Sequence, residues 1–352
     1  MMKAMNLEVR TLQKGEYDTW EKWLGQQSPI SLYQSKRWIA ILKDVFGYRE
    51  RFLGLFDAGE ICGGLCVYQV SDVLFGRKLV SIPHDASSGI VHAQNERGIK
   101  LIGEKLVEQG HEDKVRHVEI RTPQKLPLEP PYERQQPFLL AQLELANTRS
   151  LWKGLHQNTR NQVRQSERRG LTVRPASSRK EIHAFYRILL RNFQDFGNPC
   201  LPLSYFMTCF ERFDQDTCRF LISYHETGIV GGILLLAYGD TVVYKIGAVD
   251  SDKMHLRPNN LMIWEGIKWS VSAGYRYFSF GSTEPANTGL IRFKKRFGAQ
   301  ISPLYFYCAP VKKHAPDYST LFSSKKALRK LWRLLPLFVA GPLGGRLRRW
   351  YC

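Results

Sequence analysis

The chain has 352 residues, more than one typical core holds, so it predicts at least two domains. Its net charge of +19 favours a polyanionic partner: nucleic acid, an anionic membrane surface or a phosphorylated substrate. The seven cysteines form neither a Cys-x-x-Cys pair nor a Cys/His cluster at zinc spacing, so we expect no structural metal and reduced thiols. We also expect no permanently bound cofactor. Without a secretory leader or a membrane-length apolar run, we expect a cytoplasmic protein.

Two patterns recur in the two halves of the chain. Arg51-Phe52-Leu53 is followed by Gly63-Gly64-Leu65, and Arg219-Phe220-Leu221 by Gly231-Gly232-Ile233 at the same spacing. Each pair reads as a strand, a turn and a second strand entered through two glycines. A strand leading into a helical run precedes the hairpin in both halves. The shared order predicts a duplicated domain.

The first copy, residues 1–147, is predicted to alternate helices and strands. Its elements in chain order are a strand at 7–10, helices at 17–23 and 35–45, the hairpin from Arg51, a strand at 78–82, a helix at 96–108, strands at 115–121 and 138–145, and a proline-rich surface loop at 123–137 between the last two.

A connecting helix is predicted over 148–169, and it opens the second domain, residues 148–310. Arg160, Arg164 and Arg168 recur every four residues with His156 one turn earlier, so they share a helix face. Gly170 is the expected helix stop. Such a face is either solvated or grips phosphate groups.

The centre of the second domain is the block 244–298. A strand at 241–247 leads to the polar turn Arg257-Pro258-Asn259-Asn260 and a helix with two tryptophans. A second strand at 277–280 follows, and then a loop with Asn287 and Gly289. The block closes on Phe293-Lys294-Lys295-Arg296.

The tail, residues 311–352, is basic and amphipathic. Leu328, Leu331, Trp332 and Leu335 fall on one helical face, with lysines and arginines on the others and Pro336 ending the run. This pattern is typical of a helix lying on an anionic bilayer.

In its order of motifs the chain resembles the Fem-type peptidoglycan-bridge aminoacyltransferases and their wider kin, the BioF2-like acetyltransferase-domain proteins of the GNAT superfamily. The resemblance is carried by Tyr33-Gln34-Ser35 with Trp38, the Gly63-Gly64 hairpin, Phe75-Gly76-Arg77-Lys78, Asn158-Thr159-Arg160, Arg169-Gly170-Leu171, Pro258-Asn259-Asn260-Leu261, Trp264-Glu265, Gly274-Tyr275, Phe280-Gly281, and Gly289-Leu290 through Phe293-Lys294. It implies a mixed α/β fold with two tandem GNAT-like acyltransferase domains, followed here by the basic tail.

The resemblance leaves the acyl donor open. The usual GNAT pyrophosphate loop is Arg/Gln-x-x-Gly-x-Gly/Ala at a helix N-terminus, where backbone N–H groups cradle the phosphates of coenzyme A. Here Arg257-Pro258-Asn259-Asn260-Leu261-Met262 lacks the glycines that permit close approach. The donor is therefore an aminoacyl-tRNA or an acyl-coenzyme A.

Three residues are expected to be catalytic. Lys294, which follows Phe293 at the family's Phe-Lys position, supplies positive charge at the reacting carbonyl or belongs to a solvated basic face. Glu265 is a general base or an ion-pair partner, and no enzyme base is required if the acceptor or water takes the proton.

The remaining site residues are expected to bind substrate. Asn259 and Asn260 cap the helix or donate to substrate, and Tyr244 lies in the cleft or in the core. The full substrate-binding set is Tyr244, Asn259, Asn260, Trp264, Ser282, Asn287, Arg160, Arg164 and Arg296. Phosphate-binding GxxxxGK[ST], dinucleotide GxGxxG and GxSxG patterns are absent from the sequence.

These features predict an acyltransferase that moves an acyl or aminoacyl group onto an amine of a cell-envelope glycan precursor, in peptidoglycan or polysaccharide biosynthesis. Its partners would be that precursor, tRNA if it is the donor, and the inner face of the plasma membrane through the tail, but not DNA. Two alternatives stay open: an acyl-coenzyme A-dependent N-acyltransferase for exopolysaccharide, and a nucleic-acid-binding protein without catalysis.

Overall fold

A computed structural model of the chain describes residues 6–27, 32–72, 76–85, 93, 95–226, 228–312 and 326–350. Phe75, in the segment that carried part of the resemblance, and Lys325 of the tail lie outside these residues. The chain divides into two compact units, Met1–Leu139 with Ser302–Leu321 and Arg349–Cys352, and Leu140–Ile301 with Phe322–Arg348. The predicted boundary at 147/148 falls eight residues after this division, and most of the tail belongs to the second unit.

Where the structure describes it, the first half of the chain contains mainly antiparallel strands and three α-helices of 8 to 17 residues. In chain order the elements are β1 (Leu7–Thr11), α1 (Tyr17–Leu24), α2 (Lys36–Phe46), β2 (Arg49–Asp57), β3 (Glu60–Asp72), β4 (Gly76–Val80), α3 (Glu96–Glu112), β5 (His117–Thr122) and β6 (Glu133–Glu144). Strand β6 begins inside the segment that was predicted to be a loop up to residue 137, so that prediction is wrong from Glu133 onward.

The second half repeats this succession of elements, with α4 and α5 before it, α9 before its last strand, and the tail after it. In chain order the elements are α4 (Thr148–Gly154), α5 (Gln157–Arg168), β7 (Thr172–Pro175), α6 (Arg179–Asp195), α7 (Leu203–Arg212), β8 (Cys218–His225), β9 (Gly228–Tyr238), β10 (Thr241–Val249), α8 (Pro258–Ser272), β11 (Tyr277–Thr283), α9 (Thr288–Lys295), β12 (Gln300–Pro310), α10 (Lys326–Arg333) and α11 (Leu337–Trp350).

The predicted duplication is confirmed by the strand order. In the first unit β1-β2-β3-β4-β5 are neighbours in this order, and in the second unit the order is β7-β8-β9-β10-β11. Both series are antiparallel up to the last pair, and β4–β5 and β10–β11 are parallel. Leu53 pairs with Leu65 in one hairpin and Leu221 with Ile233 in the other, the same register in each copy.

The glycine pairs of the two hairpins make room for aromatic rings. A Cβ at Gly64 would lie 2.4 Å from the ring of Trp20 on α1, and one at Gly232 would lie 2.6 Å from Phe185 on α6. In each copy, therefore, a buried aromatic ring of the helix packs directly against a glycine of the hairpin. The pattern read from sequence thus marks the packing of a helix on a strand in both copies.

The predicted connecting helix is two helices rather than one. Helix α4 ends at Gly154 and α5 begins at Gln157, with buried Leu155 between them. The amide of His156 donates to the carbonyl of Arg296 at 2.9 Å, which directs this hydrogen bond to a distant segment rather than to the preceding helical turn. The prediction of a continuous helix over 148–169 is therefore wrong.

Candidate functional site

The site begins where β10 and β11 stop pairing. Their parallel ladder comprises three pairs, the last of which joins Val243 and Ser279. Strand β10 continues to Val249 and β11 to Thr283 without further pairs in this ladder. We call the segments 244–249 and 280–283 the fork. The strand at 277–280 was predicted to end before Gly281, and it extends three residues further.

The equivalent strand ends of the first copy are closed by side chains. After the last β4–β5 pair, Val80 with Glu119, the amide of Ser81 donates to the Glu119 carbonyl at 3.0 Å. The Ser81 hydroxyl accepts from the amide of Arg121 at 2.9 Å. The Arg121 guanidinium donates to the carbonyls of Ile82 and Asp85 at 3.0 and 2.8 Å. Arg121 therefore crosses the place where these two strands would separate.

A buried ion cluster holds Arg121 there. Its Nε donates to the carboxylate of Glu119, and the Lys78 Nζ lies 3.6 Å from the same carboxylate. Burial raises the pKa of Glu119, but Arg121 and Lys78 outweigh it and hold that pKa well below its usual value. Ion pairs with a buried carboxylate thus hold Arg121 across the strand ends of the first copy.

In the second copy the register places Gly281 where the first copy has Arg121, since each lies two residues after the last paired residue of its strand. Gly281 has φ +69°, a conformation that glycine adopts without strain. Among the described residues, only the carbonyl oxygen of Tyr244 would lie within 4 Å of a Cβ at Gly281, at 3.7 Å. The fork therefore has free space beside Gly281.

Lys294 lies at the β11 side of the fork. Its side chain, on α9, is 5% exposed. Its Nζ donates to the carbonyls of Gly281 and Ser282 at 3.0 and 3.1 Å and to the Thr283 hydroxyl at 2.6 Å. These three oxygens match the three N–H donors of an ammonium group. Lys294 is therefore a buried anchor of β11, and the prediction that it belongs to a solvated basic face is wrong.

Helix α9 occupies the segment that the sequence predicted to be a loop. Asn287 is its N-cap, with Oδ1 accepting from the amide of Leu290 at 3.1 Å. Asn287 is thus a helix cap, and Gly289 lies in the first turn. Helix α9 also carries Phe293, which packs edge-on against Phe297 with centroids 5.3 Å apart.

Tyr244 occupies the β10 side of the fork, directly after the last pair. Its ring packs against the core of the second unit, and burial raises the pKa of its hydroxyl, so the group stays protonated at neutral pH. A Cβ at Gly247 would lie 2.1 Å from the Tyr244 Oη, so only glycine fits there. Of the two predicted locations of Tyr244, the cleft and the core, the structure shows its packing against the core.

The polar turn does not cap helix α8 with its asparagines. The N-cap is Arg257, in the left-handed conformation with φ 62° and without a side-chain cap, and Asn259 and Asn260 lie inside the first turn. The buried Asn260 instead donates from Nδ2 to the Gln162 Oε1 at 2.6 Å. The predicted capping role is wrong because Asn260 reaches across to helix α5.

Hydrogen bonds from helix α5 and from Arg169, directly after it, hold this turn in place. The Ser166 hydroxyl lies 3.0 Å from the Leu256 carbonyl and 3.1 Å from that of Arg257. Arg169 donates to the carbonyl of His255. Gln162 and Ser166 were not singled out in the sequence, and no local pattern marks them because their partners lie about 90 residues away.

Two candidates have ordinary structural partners. The Glu265 carboxylate forms an ion pair with Lys268 one turn later, at 2.7 Å. Trp264 is buried with its ring 5.0 Å from that of Trp152. The ion-pair alternative for Glu265 is therefore present in the structure.

The three arginines of the predicted substrate-binding set differ from one another. The Nη1 of Arg160 donates to the carbonyls of Lys153 and Leu155 at 2.6 and 2.8 Å, so this side chain caps the end of α4. Arg164 is exposed, with its guanidinium 5.4 Å from the centre of the Trp152 ring. Arg296 ends α9 and accepts through its carbonyl from His156. Of these three side chains, Arg164 is the exposed one.

Comparison with known proteins assigns the second unit. Residues 154–295 match the family model described as an acetyltransferase (GNAT) domain. The chain carries a GNAT acyltransferase domain. No curated protein sequence matches the chain.

Three solved structures share its fold at low identity. FemX superimposes with a TM-score of 0.67 at 15% identity, covering 90% of this chain and 99% of FemX. A conserved protein of unknown function from Bacteroides thetaiotaomicron VPI-5482 gives 0.58 at 11%, covering 86% and 99%. A tandem GNAT protein from the clavulanic acid biosynthesis pathway gives 0.55 at 11%, covering 88% and 100%. The predicted fold class, a tandem GNAT arrangement, is confirmed, and so is the prediction of an acyltransferase.

Proposed function

We propose that the GNAT domain of this protein holds an acyl or aminoacyl donor in the fork and transfers its acyl group to an amine of a cell-envelope glycan precursor. The single observation that carries the proposal is the contrast between Arg121 and Gly281. One copy fills its strand ends with a charged side chain, while the other leaves space between strands of a GNAT domain.

The chemistry needs few groups from the protein. The acceptor nitrogen attacks the donor carbonyl carbon, the bond from that carbon to the donor oxygen or sulfur breaks, and the amine proton leaves to solvent. The edge of β10 beyond Val243, which has no further pairs with β11, can orient the donor carbonyl, which supplies the proximity that acyl transfer needs. The protonated Tyr244 hydroxyl is a hydrogen-bond donor on one side, and the Lys294 charge is fixed on the other.

Glu265 is not needed in this scheme as a base. Its carboxylate is paired with Lys268 and partly exposed, so it lacks the burial that tunes a carboxylate for proton transfer. Water or a second acceptor amine takes the proton. Phe293 and Trp264 shape the apolar surroundings of the site.

The donor is a polyanion in either of its two forms. Arg257 and Arg164 are exposed on the turn and on the helix that holds it, where they can bind phosphate groups. The turn carries side chains where a pyrophosphate-binding loop has glycines, which favours an aminoacyl-tRNA over acyl-coenzyme A.

The acceptor class rests on the Fem-type resemblance together with the fold likeness to FemX. We place the enzyme at the inner face of the plasma membrane, where a lipid-linked precursor of peptidoglycan or of another polysaccharide would be reached. In the described part of the chain, every helix is too short or too polar to cross a membrane. An acyl-coenzyme A-dependent N-acyltransferase for exopolysaccharide is the second candidate, favoured by the GNAT family match.

The test is an acyl-transfer assay with two donors. The purified chain is incubated with aminoacyl-tRNA or acyl-coenzyme A and with an amino-sugar nucleotide or a peptide amine, and products are identified by mass. We expect an amide product that depends on the enzyme and on one of the donors. If neither donor yields an amide, and tRNA binds tightly without reacting, the alternative of a nucleic-acid-binding protein replaces this function.

A further inference from the structure

The described helices of the tail, α10 and α11, fold onto the second unit. The Gln194 amide, near the end of α6, donates to the carbonyl of Leu335. A Cβ at Gly197 would lie 2.6 Å from the Arg329 carbonyl, so the middle of α10 touches the turn that follows α6. Along α11, Gly344 and Gly345 approach Cys200 and Pro202 closely. Helices α10 and α11 are therefore part of this unit's surface.

The face that packs is not the whole face predicted from the sequence. Trp332 is buried, while Leu331, of the same predicted stripe, is 64% exposed. Of the other two members, the side chain of Leu328 lies outside the described residues. The prediction of one bilayer-facing stripe is therefore wrong for Trp332, which packs against the protein.

Four apolar side chains near the packed face of the tail helices are exposed to solvent. Leu334 and Phe338, on either side of the corner at Pro336, are each 80% exposed. Leu331 lies just before this corner, and Phe196 at the end of α6 is 66% exposed. We call these four residues the apolar corner. Large side chains this exposed on adjoining elements mark an interaction surface.

The charges on the two tail helices have one sign. Residues 326–350 contain no Asp or Glu. Lys330, Arg333 and Arg346 are exposed on the same two helices. The exposed Asp195 adjoins Phe196 on α6, but the two tail helices, which supply the other three residues of the corner, carry cations and no acid. Such a surface is complementary to an anionic bilayer, where apolar side chains enter the acyl boundary while lysine and arginine bind lipid phosphates.

The apolar corner also lies at the fork end of this unit. Asn192, one turn before Phe196, donates from Nδ2 to the carbonyl of Val249 at 3.0 Å and accepts from its amide at 3.3 Å. Val249 is the last residue of β10 and the end of the fork. A surface bound here would face the end of the sheet at which the strands part.

We propose that the apolar corner and its basic rim form a preformed docking surface for an anionic lipid bilayer, which brings the fork to the membrane. The inference rests on the proposed function for its purpose, but the surface itself is independent of catalysis. Because α10 and α11 are already folded, binding needs no ordering of these two helices, and a few exposed side chains suffice.

The test is co-sedimentation of the full chain with vesicles of phosphatidylcholine containing phosphatidylglycerol. We expect binding that weakens with salt and that is lost in pure phosphatidylcholine. The double variant Leu334→Ser with Phe338→Ser should lower the partition coefficient by about tenfold or more, while Leu334→Met with Phe338→Leu keeps the apolar area and binds as the unchanged chain. Both residues are exposed, so thermal unfolding should be unaffected.

Charge and alternative occupants are tested in the same preparation. Lys330→Gln with Arg333→Gln should weaken binding about tenfold or more, and Lys180→Gln, an exposed lysine on α6, should not. The proposal is overturned if the chain ignores anionic vesicles, if the serine variant binds like the unchanged chain, or if the serine substitutions instead convert a dimer to a monomer. Binding of tRNA that needs Lys330 and Arg333, without vesicle binding, also overturns it. Transfer to a water-soluble acceptor is unaffected by any of these results, so failure of docking and failure of the proposed function are separable.

Discussion

Replacing Lys294 by methionine tests its role as the buried anchor of β11. Methionine keeps most of the side-chain volume and removes the ammonium group with its three hydrogen bonds to Gly281, Ser282 and Thr283. Each hydrogen bond to a charged group contributes roughly 1.5–3 kcal/mol, and the desolvation of the buried ammonium offsets much of that sum. We expect a net loss of about 2–4 kcal/mol in the free energy of unfolding.

The assay is thermal unfolding with hydrogen exchange of the β11 peptide. For a unit of this size the loss corresponds to a fall of about 4–16 °C in melting temperature. Exchange should accelerate in β11, which loses its anchor. Lys295→Met, at the exposed neighbour, is the matched control and should stay within about 0.5 kcal/mol of the unchanged chain. A Lys294→Met variant as stable as this control would refute the anchoring role.

Two further predictions concern residues of the second unit. Burial raises the pKa of Glu181, but hydrogen bonds from Tyr224, Ser177 and Arg174 outweigh it and lower that pKa to about 2. Because the folded-state pKa lies below the unfolded value near 4.5, this stabilisation is complete above pH ~4.5 and is lost as the pH falls towards 2. Denaturation midpoints between pH 5 and 2 should fall less steeply in Glu181→Gln, and an unchanged slope would contradict the assignment. Arg160→Ala should cost about 1–2 kcal/mol of stability, since it uncaps α4, whereas Arg164→Ala should cost under about 0.5 kcal/mol and weaken binding of a polyanionic donor. Equal melting temperatures for the two variants would contradict the capping role of Arg160.

The duplication could be predicted from sequence because its signals are local. Two glycines at a fixed distance from an Arg-Phe-Leu strand recur in each half, and glycine is what a buried ring needs beneath it. Strand β10, helix α8 and strand β11 were predicted in the right order for the same reason. Their alternation of apolar and polar segments is visible within some forty residues.

Most of the errors have a different cause, which is contact with distant segments; the error at α9 is local. The connecting helix breaks because the His156 amide bonds to Arg296, about 140 residues later. Helix α9 was predicted to be a loop because Gly289 masks the capping signal of Asn287. Neither Lys294 as a buried anchor nor Asn260 as a bridge to Gln162 could be read from its neighbours in sequence.

The tail shows the limit of amphipathic patterns. An isolated helix with leucines and a tryptophan on one face predicts a membrane contact, and the pattern does not say which of these side chains another helix covers. Packing on α6 buries Trp332 and leaves Leu334 and Phe338 outside. The apolar corner also includes Phe196, which is far away in the sequence and belongs to no tail pattern.

The central claim is that the acyl donor occupies the fork beside Gly281, and the most direct measurement introduces the arginine that closes the first copy. Gly281→Arg is compared with Gly281→Ala, because any side chain at φ +69° bears the same backbone strain of roughly 1–2 kcal/mol and alanine adds no bulk beyond Cβ. Equilibrium binding of the active donor is measured for both variants, with circular dichroism as a check on folding. The account predicts that the alanine variant binds within a few-fold of the unchanged chain and that the arginine variant loses donor binding while remaining folded. Equal donor affinity for the two folded variants would contradict it.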